Sequence, residues 1–166
     1  MRIADVPEFN KKHDIVAFGS DAMISDVARK MAEKNIGAIP VIDDGKLVGV
    51  FSERDMLKRV VAAGMDPTKT KLGEVMTPEP QTASPDDWVS DAVDFMVQGH
   101  YRHLPIVAHD GELVGFLSQR DFMAVNLSEL LKNTAKVSFM TIAKAPQVWI
   151  MVGGLVLYTI FLLSIS

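Results

Sequence analysis

The chain contains the same motif twice, and this internal repeat constrains its fold more than any other feature. Residues 36–60 read IGAIPVIDDGKLVGVFSERDMLKRV, and residues 101–126 read YRHLPIVAHDGELVGFLSQRDFMAVN. Equivalent residues are 65 positions apart before the turn and 66 after it, so the second repeat has one extra turn residue. Repeats of this kind are typical of supersecondary units that bury their apolar faces against each other. The duplication therefore also predicts two related clefts.

Hydrophobic periodicity predicts the same order of elements in both repeats. In the first, a short strand at 15–18 precedes an amphipathic helix, a strand at 38–42, a tight turn, a strand at 47–51 and a second helix after Ser52. The second repeat has the corresponding strands at 81–83, 103–108 and 113–117, with a helix after Ser118. The predicted fold class is α+β, with two β-α-β-β-α units about a pseudo-two-fold axis.

Individual side chains add detail to this prediction. Pro40 and Pro105 are expected at strand edges, because proline cannot donate a hydrogen bond to a ladder. On the first helix of the second repeat, we expect four side chains to face the core: Trp88, Ala92, Phe95 and Met96.

The end of each hairpin carries a second pattern, Gly49 to Asp55 and Gly115 to Asp121, in which a serine is followed by an arginine and an aspartate. A helix N-terminus offers free N–H groups and partial positive charge to an anion. Ser-x-x-Asp before an apolar helix is also a capping box that needs no ligand. Because the pattern occurs twice with the same surroundings, both interpretations stand together.

These motifs, with IP-V-I or LP-I-V, D-G-x-L-V-G and S-x-R-D, closely resemble a cystathionine-beta-synthase (CBS) domain. The pair, over about residues 7–127, resembles a Bateman module. The resemblance implies a regulatory module without catalysis that binds adenosine-containing ligands between the repeats, with the hydroxyl by a phosphate and the aspartate on the ribose. It also implies self-association through the module. The ligand-binding residues expected from this pattern and from the basic residues near it are Ser52, Arg54, Asp55, Arg102, His103, Ser118, Arg120 and Asp121.

The two repeats differ where a ligand would bind. Arg102 and His103 stand where the first repeat has Gly37 and Ala38. Basic side chains suit an anionic phosphate chain, so we expect AMP, ADP or ATP rather than S-adenosylmethionine, with unequal occupancy of the clefts. No covalent cofactor is expected.

Composition excludes other functions. The chain has no cysteine, which rules out disulfides, zinc-thiolate sites and thiol catalysis. Residues 1–129 hold 14 basic and 21 acidic residues, and such an acidic surface argues against nucleic acid as a partner. No nucleophile-elbow pattern supports an enzyme, and two histidines, His100 and His103, are too few for a metal site.

Residues 145–166 have no charged side chain. As a helix they would span about 33 Å, against a hydrocarbon core of about 30 Å. Basic residues precede this run at positions 132, 136 and 144, which predicts a single C-terminal membrane anchor with the repeats in the cytoplasm. The predicted organisation is 7–63 and 77–127 for the CBS domains, 64–76 for the linker, 128–144 for an amphipathic helix and 145–166 for the transmembrane helix.

Two functions follow from these predictions. In the first, the module senses adenine nucleotides and modulates an integral membrane partner. In the second, the chain is a structural or accessory subunit of a membrane complex, such as a transporter or respiratory assembly, and its clefts are empty.

Overall fold

Two antiparallel β-hairpins, one from each repeat, form the frame of the fold. In the computed structural model, which describes residues 1–7, 9 and 15–124, the first hairpin joins β1 (Ala38–Asp43) to β2 (Lys46–Ser52). The second joins β4 (His103–Val107) to β5 (Leu113–Ser118). A short strand between them, β3 (Thr77–Pro78), pairs antiparallel with β2. The predicted helices 128–144 and 145–166 lie outside the described residues.

The two hairpins have equivalent registers. Ala38 lies opposite Ser52 in the first, and His103 lies opposite Ser118 in the second. Each hairpin has a register shift at the same place, between Val41 and Ile42 or between Ile106 and Val107. The extra residue of the second repeat is accommodated in the turn at 108–112, so the strand ends that carry the serines are not displaced.

The helices beside the hairpins include α1 (Ile24–Lys34), α2 (Glu53–Asp55), α3 (Leu72–Val75) and α4 (Val89–Gln98). Beyond α2 the chain continues as a π-helical segment, Met56–Val61. After Ser118 the chain is helical through the last described residues, 119–124. The α+β prediction is therefore confirmed, although a π-helical segment continues the predicted helix after Ser52.

The predicted first strand of each repeat is reduced to one residue pair. Phe18 forms an isolated parallel bridge with Val41, and Ala83 forms the equivalent bridge with Ile106. The carbonyl oxygens of Pro40 and Pro105 accept hydrogen bonds from Phe18 and Ala83, at 3.4 and 3.0 Å. The backbone polar groups of each proline thus point to the outer edge of its hairpin, away from β2 or β5, as predicted. The missing N–H therefore interrupts no hydrogen bond between the hairpin strands.

The segment before each repeat packs on the other repeat. The N–H of Ile3 donates to the carbonyl of Asp87 at 3.0 Å, and the N–H of Leu72 donates to that of Ala22 at 2.8 Å. These bonds are equivalent, because Asp87 lies 65 residues after Ala22. Residues 1–6 therefore complete the second repeat, and residues 70–76 complete the first.

Side chains of these exchanged segments fill the core. Leu72 and Val75 belong to the buried cluster of the first repeat, with side chains from α1, β1 and β2. Ile3 and Val6 are fully buried and are the counterparts of Leu72 and Val75 at the second repeat. Burial of such an aliphatic side chain stabilises the folded state by about 1.5–3 kcal/mol. Each repeat is therefore stabilised by the segment that precedes the other repeat in the sequence.

The same exchange corrects part of the core prediction. Ala92 and Met96 are buried as expected, but Trp88 and Phe95 are 47% and 55% exposed. Residues 1–6 cover the start of α4, and the Arg2 guanidinium lies 4.1 Å from the centre of the Trp88 ring, a cation–π contact on the surface. Phe95 is the counterpart of Lys30, whose position faces outward in the first repeat.

No helix within residues 1–7, 9 and 15–124 is long and apolar enough to cross a membrane.

Candidate functional site

Each hairpin ends in a serine that caps the next helix. The Ser52 hydroxyl donates to Asp55 Oδ2 at 2.6 Å, and the Ser52 N–H donates to the same oxygen at 3.0 Å. Ser118 and Asp121 repeat this pair of bonds, each at 2.7 Å. In both repeats the N–H of the aspartate lies 3.4 Å from the serine oxygen. The capping function predicted for the motif is thus present in both repeats.

The capping aspartate of the first repeat has further partners. Asp55 Oδ1 lies 3.5 Å from Arg59 Nε and accepts a hydrogen bond from Thr77 at 3.5 Å. Arg59 also donates to the carbonyl oxygens of Val75 and Met76, which end α3. The equivalent of Arg59 in the second repeat is a valine at position 125. A valine cannot form the ion pair that Arg59 makes with Asp55.

Arg54 connects the two repeats. Its Nη1 donates at 3.0 Å to the carbonyl oxygen of His100, in the turn that follows α4. His100 has φ 55°, and its counterpart Asn35 has φ 52°, so both turns are left-handed at the same position. Within the described part of the chain, no hydrogen bond or ion pair is found for the equivalent arginine, Arg120, whose side chain is exposed.

Two basic residues lie at the start of β4: Arg102 precedes the strand, and His103 is its first residue. Gln119 binds the Arg102 backbone, since its N–H donates to that carbonyl at 3.0 Å, and the Arg102 side chain is exposed. The His103 ring stacks on Phe116, with centroids 5.6 Å apart and planes 9° from parallel. This stacking holds the imidazole against the sheet.

A cavity of about 1100 Å³ lies between these elements and is lined by both repeats. The structure thus joins the two predicted clefts into one continuous space. All eight predicted ligand-binding residues line it: Ser52, Arg54, Asp55, Arg102, His103, Ser118, Arg120 and Asp121. Sequence reasoning placed these residues in two separate clefts, and in the structure they line one cavity.

The cavity also contains residues that the motif analysis missed. Glu53, Lys58, Arg59 and Glu79 contribute charge to its wall, and Val16 contributes apolar surface. Arg59 was recognisable in principle, because it lies four residues after Asp55 and so on the same face of a helix. Glu79 was not, since its position depends on the pairing of β3 with β2. The described residues include no group of three His, Asp or Glu side chains placed to hold a metal ion.

Comparisons with known proteins agree with this geometry. A family model described as CBS domain matches residues 4–62 and 72–128. The meiotically up-regulated gene 70 protein of Schizosaccharomyces pombe is 35% identical over 100 residues, which are 60% of this chain and 14% of that protein. The match thus spans only a small part of that relative's length.

Two solved structures are similar over most of the repeats. A CBS domain protein from Pyrobaculum aerophilum complexed with AMP is 31% identical, with a TM-score of 0.64, and covers 73% of this chain and 89% of that one. CBSX2 in complex with AMP is 27% identical, with a TM-score of 0.65, and covers 76% of this chain and 96% of that one.

Proposed function

The chain belongs to the CBS domain family, and on that premise we propose that it is a regulatory module that binds an adenine nucleotide in the cavity between its repeats. The single observation that carries the proposal is the convergence of all eight predicted residues on one cavity of about 1100 Å³. Ligand sites are typically about 300–1,000 Å³, so a nucleotide fits in this space. The two similar structures that contain AMP support the same class of ligand.

The chemistry of the wall suits the parts of a nucleotide. Carboxylate oxygens such as those of Asp121 accept hydrogen bonds from ribose hydroxyls. Guanidinium groups at Arg102 and Arg120 donate charge-assisted hydrogen bonds to phosphate. Apolar side chains such as Val16 offer a surface for a base.

The capping bonds need not break when a ligand binds. In both repeats the serine holds one oxygen of the aspartate, Oδ2. The other oxygen of Asp55 is shared with Arg59 and Thr77, so a ribose at this repeat would exchange with those contacts. Ligand binding would then loosen the contacts of Asp55 in α2 with Arg59 and with Thr77 in β3. This offers a physical route from the cavity to the packing of the repeats.

Regulation requires that a nucleotide bind two arrangements of the module with different affinity. Arg54 is the residue on which the arrangements would differ, because it lines the cavity and also bonds to the opposite repeat. A nucleotide in the cavity that contacts the Arg54 guanidinium competes with the His100 carbonyl for it. The module is proposed to report nucleotide binding in this way and to catalyse no reaction.

We further propose that residues 145–166 anchor the module to a membrane, with the repeats in the cytoplasm, and that an integral membrane protein receives its output. The uncharged run and the lysines before it support this proposal. Self-association through the module is proposed as well. The second candidate function is a structural or accessory subunit of a membrane complex with an empty cavity, which the same uncharged segment favours.

Isothermal titration calorimetry of the whole chain in detergent micelles, with AMP, ADP and ATP, tests the nucleotide proposal. Saturable binding of at least one of them is the expected result. No detectable heat and no shift of melting temperature at millimolar nucleotide would reject the sensor function in favour of the structural subunit.

A further inference from the structure

Glu53 and Gln119 occupy equivalent positions but differ in charge. Each follows a capping serine, and each donates its N–H at 3.0 Å to a backbone carbonyl before the first hairpin strand, that of Gly37 or that of Arg102. Their backbones are therefore placed alike in the two repeats. The difference in the cavity comes from the side chains.

The Glu53 carboxylate lies over the backbone of Gly37. A Cβ atom built on Gly37 would be 3.2 Å from Oε2 and 3.7 Å from Oε1 of Glu53. The missing side chain at position 37 thus leaves room for the carboxylate at the cavity wall. In the second repeat the Gln119 amide nitrogen instead donates to the Tyr101 carbonyl at 2.9 Å, and the residues that line the cavity do not include Gln119.

The difference between Glu53 and Gln119 contributes to a difference in net charge between the two walls of the cavity. The wall of the first repeat and β3 region has three acids and three cations, which balance: Glu53, Asp55, Glu79, Arg54, Lys58 and Arg59. The wall of the second repeat has Arg102 and Arg120 against the single acid Asp121. With neutral histidines, the first wall carries no net charge and the second carries one positive charge. Removing the charge of Glu53 would make the two walls equal in net charge, and Glu53 is the acid of the motif whose counterpart in the second repeat, Gln119, is neutral.

We propose that Glu53 is a specificity-determining residue that keeps the anionic part of the ligand away from the first repeat. The inference rests on the proposed function and adds an orientation to it. The nucleotide binds with its phosphate beside Arg102 and Arg120, and the part without charge lies toward Gly37 and Val16. Glu53 is exposed to solvent, so its repulsion of a phosphate is moderate and is screened by salt, and the carboxylate accepts only N–H or O–H donors.

The test compares wild-type chain with Glu53→Gln by calorimetry, using adenosine, AMP and ATP as probes. We expect AMP to bind the variant at least about three-fold more tightly than the wild type. The gain should be larger for ATP, because Glu53 repels each additional negative charge of the ligand in the wild type. Adenosine should change by less than about two-fold, because the amide retains an acceptor oxygen. The gain for AMP should shrink at high salt.

Two matched variants separate the position from the charge. Glu112→Gln removes one negative charge in the turn at 108–112, away from the cavity, and should leave all three affinities unchanged. Glu53→Asp retains the carboxylate and should retain the wild-type preference. Circular dichroism and melting temperature establish that each variant is folded.

The outcomes distinguish the two proposals. Nucleotide binding with equal affinity in wild type and Glu53→Gln, or an equal change for adenosine and AMP, overturns the role of Glu53 and leaves the nucleotide site intact. No binding of any probe by either protein overturns both. A charge-dependent gain in Glu53→Gln alone supports both.

Discussion

The Arg54 guanidinium donates a hydrogen bond at 3.0 Å to the carbonyl oxygen of His100, and this bond joins the capping helix of the first repeat to the turn after α4 in the second. The left-handed backbone at His100 ends α4 and turns the chain toward β4. A positive side chain is favourable beside the free carbonyl groups at a helix C-terminus. The bond therefore stabilises the arrangement of the repeats around the cavity.

Substitution of Arg54 by alanine should weaken this arrangement without unfolding the chain. We expect a loss of about 0.5–1 kcal/mol in the free energy of unfolding, because the bond is charge-assisted but exposed to solvent. Urea denaturation measures it. Arg29→Ala is the matched control, since the ion pair of Arg29 within the described residues is with Asp26 on its own helix; an equal loss in both variants would contradict a bond between repeats.

Arg102→Ala should reduce affinity for AMP about ten- to one-hundred-fold, which corresponds to about 1.5–3 kcal/mol for a lost charge-assisted contact. The melting temperature without ligand should hardly move, because the side chain caps no helix. Lys46→Ala removes a positive charge at the turn of the first hairpin and serves as the control. Equal AMP affinity of the wild type, Arg102→Ala and Lys46→Ala would show that Arg102 does not contact the ligand.

Ile3→Ala and Leu72→Ala should each destabilise the fold by about 2–5 kcal/mol, the usual cost of a large cavity in a core. Ile3 precedes the first repeat, so a large effect there shows that residues 1–6 are part of the second repeat's core. Val61→Ala, at an exposed apolar residue, should cost less than about 0.5 kcal/mol. Chemical denaturation of the three variants measures their free energies of unfolding. A negligible effect of Ile3→Ala would contradict the packing of residues 1–6 in the core of the second repeat.

The pKa of Asp43 is lowered from its ordinary value, first by the Ser20 hydroxyl and then by the Ser20 N–H, which lies 2.9 Å from Oδ1. Because the folded-state pKa is depressed, the stability that this pair contributes is present above the unfolded-state pKa and is lost as pH falls through the folded value. Ser20→Ala should raise the pKa of Asp43 only in part, since the N–H remains. Carboxyl NMR titration measures it, and an unchanged pKa would show that the hydroxyl contributes nothing.

Deletion of residues 145–166 should move the protein from the membrane fraction to the soluble fraction, because the uncharged run is the proposed anchor. Fractionation after alkaline washing measures this. In the intact chain, a C-terminal tag should be protected from a protease added on the cytoplasmic side. Continued membrane association of the deleted chain, or a tag cleaved from that side, would contradict the proposed topology.

The local structure was predictable because it depends on neighbouring residues. The hairpins follow from short apolar runs on either side of Asp44–Gly45 and Asp110–Gly111. The caps at Ser52 and Ser118 follow from a spacing of three residues. Phe95 shows where this reasoning fails. Helical periodicity placed it on the apolar face, but the structure leaves it 55% exposed, as its alignment with Lys30 would have indicated.

The sequence by itself determined the duplication, the hairpins, the capping serines and the pairs of candidate ligand-binding residues, because equal sequences at a nearly constant offset adopt equal local structures. Only the tertiary structure decided that residues 1–6 and 70–76 change places and that two clefts become one cavity. These features depend on contacts between residues far apart in the chain, such as Ile3 with Asp87 and Leu72 with Ala22. The tertiary structure also decided that the Glu53 carboxylate lies over Gly37. This contact matters because a carboxylate affects a bound ligand only when both lie in the same cavity.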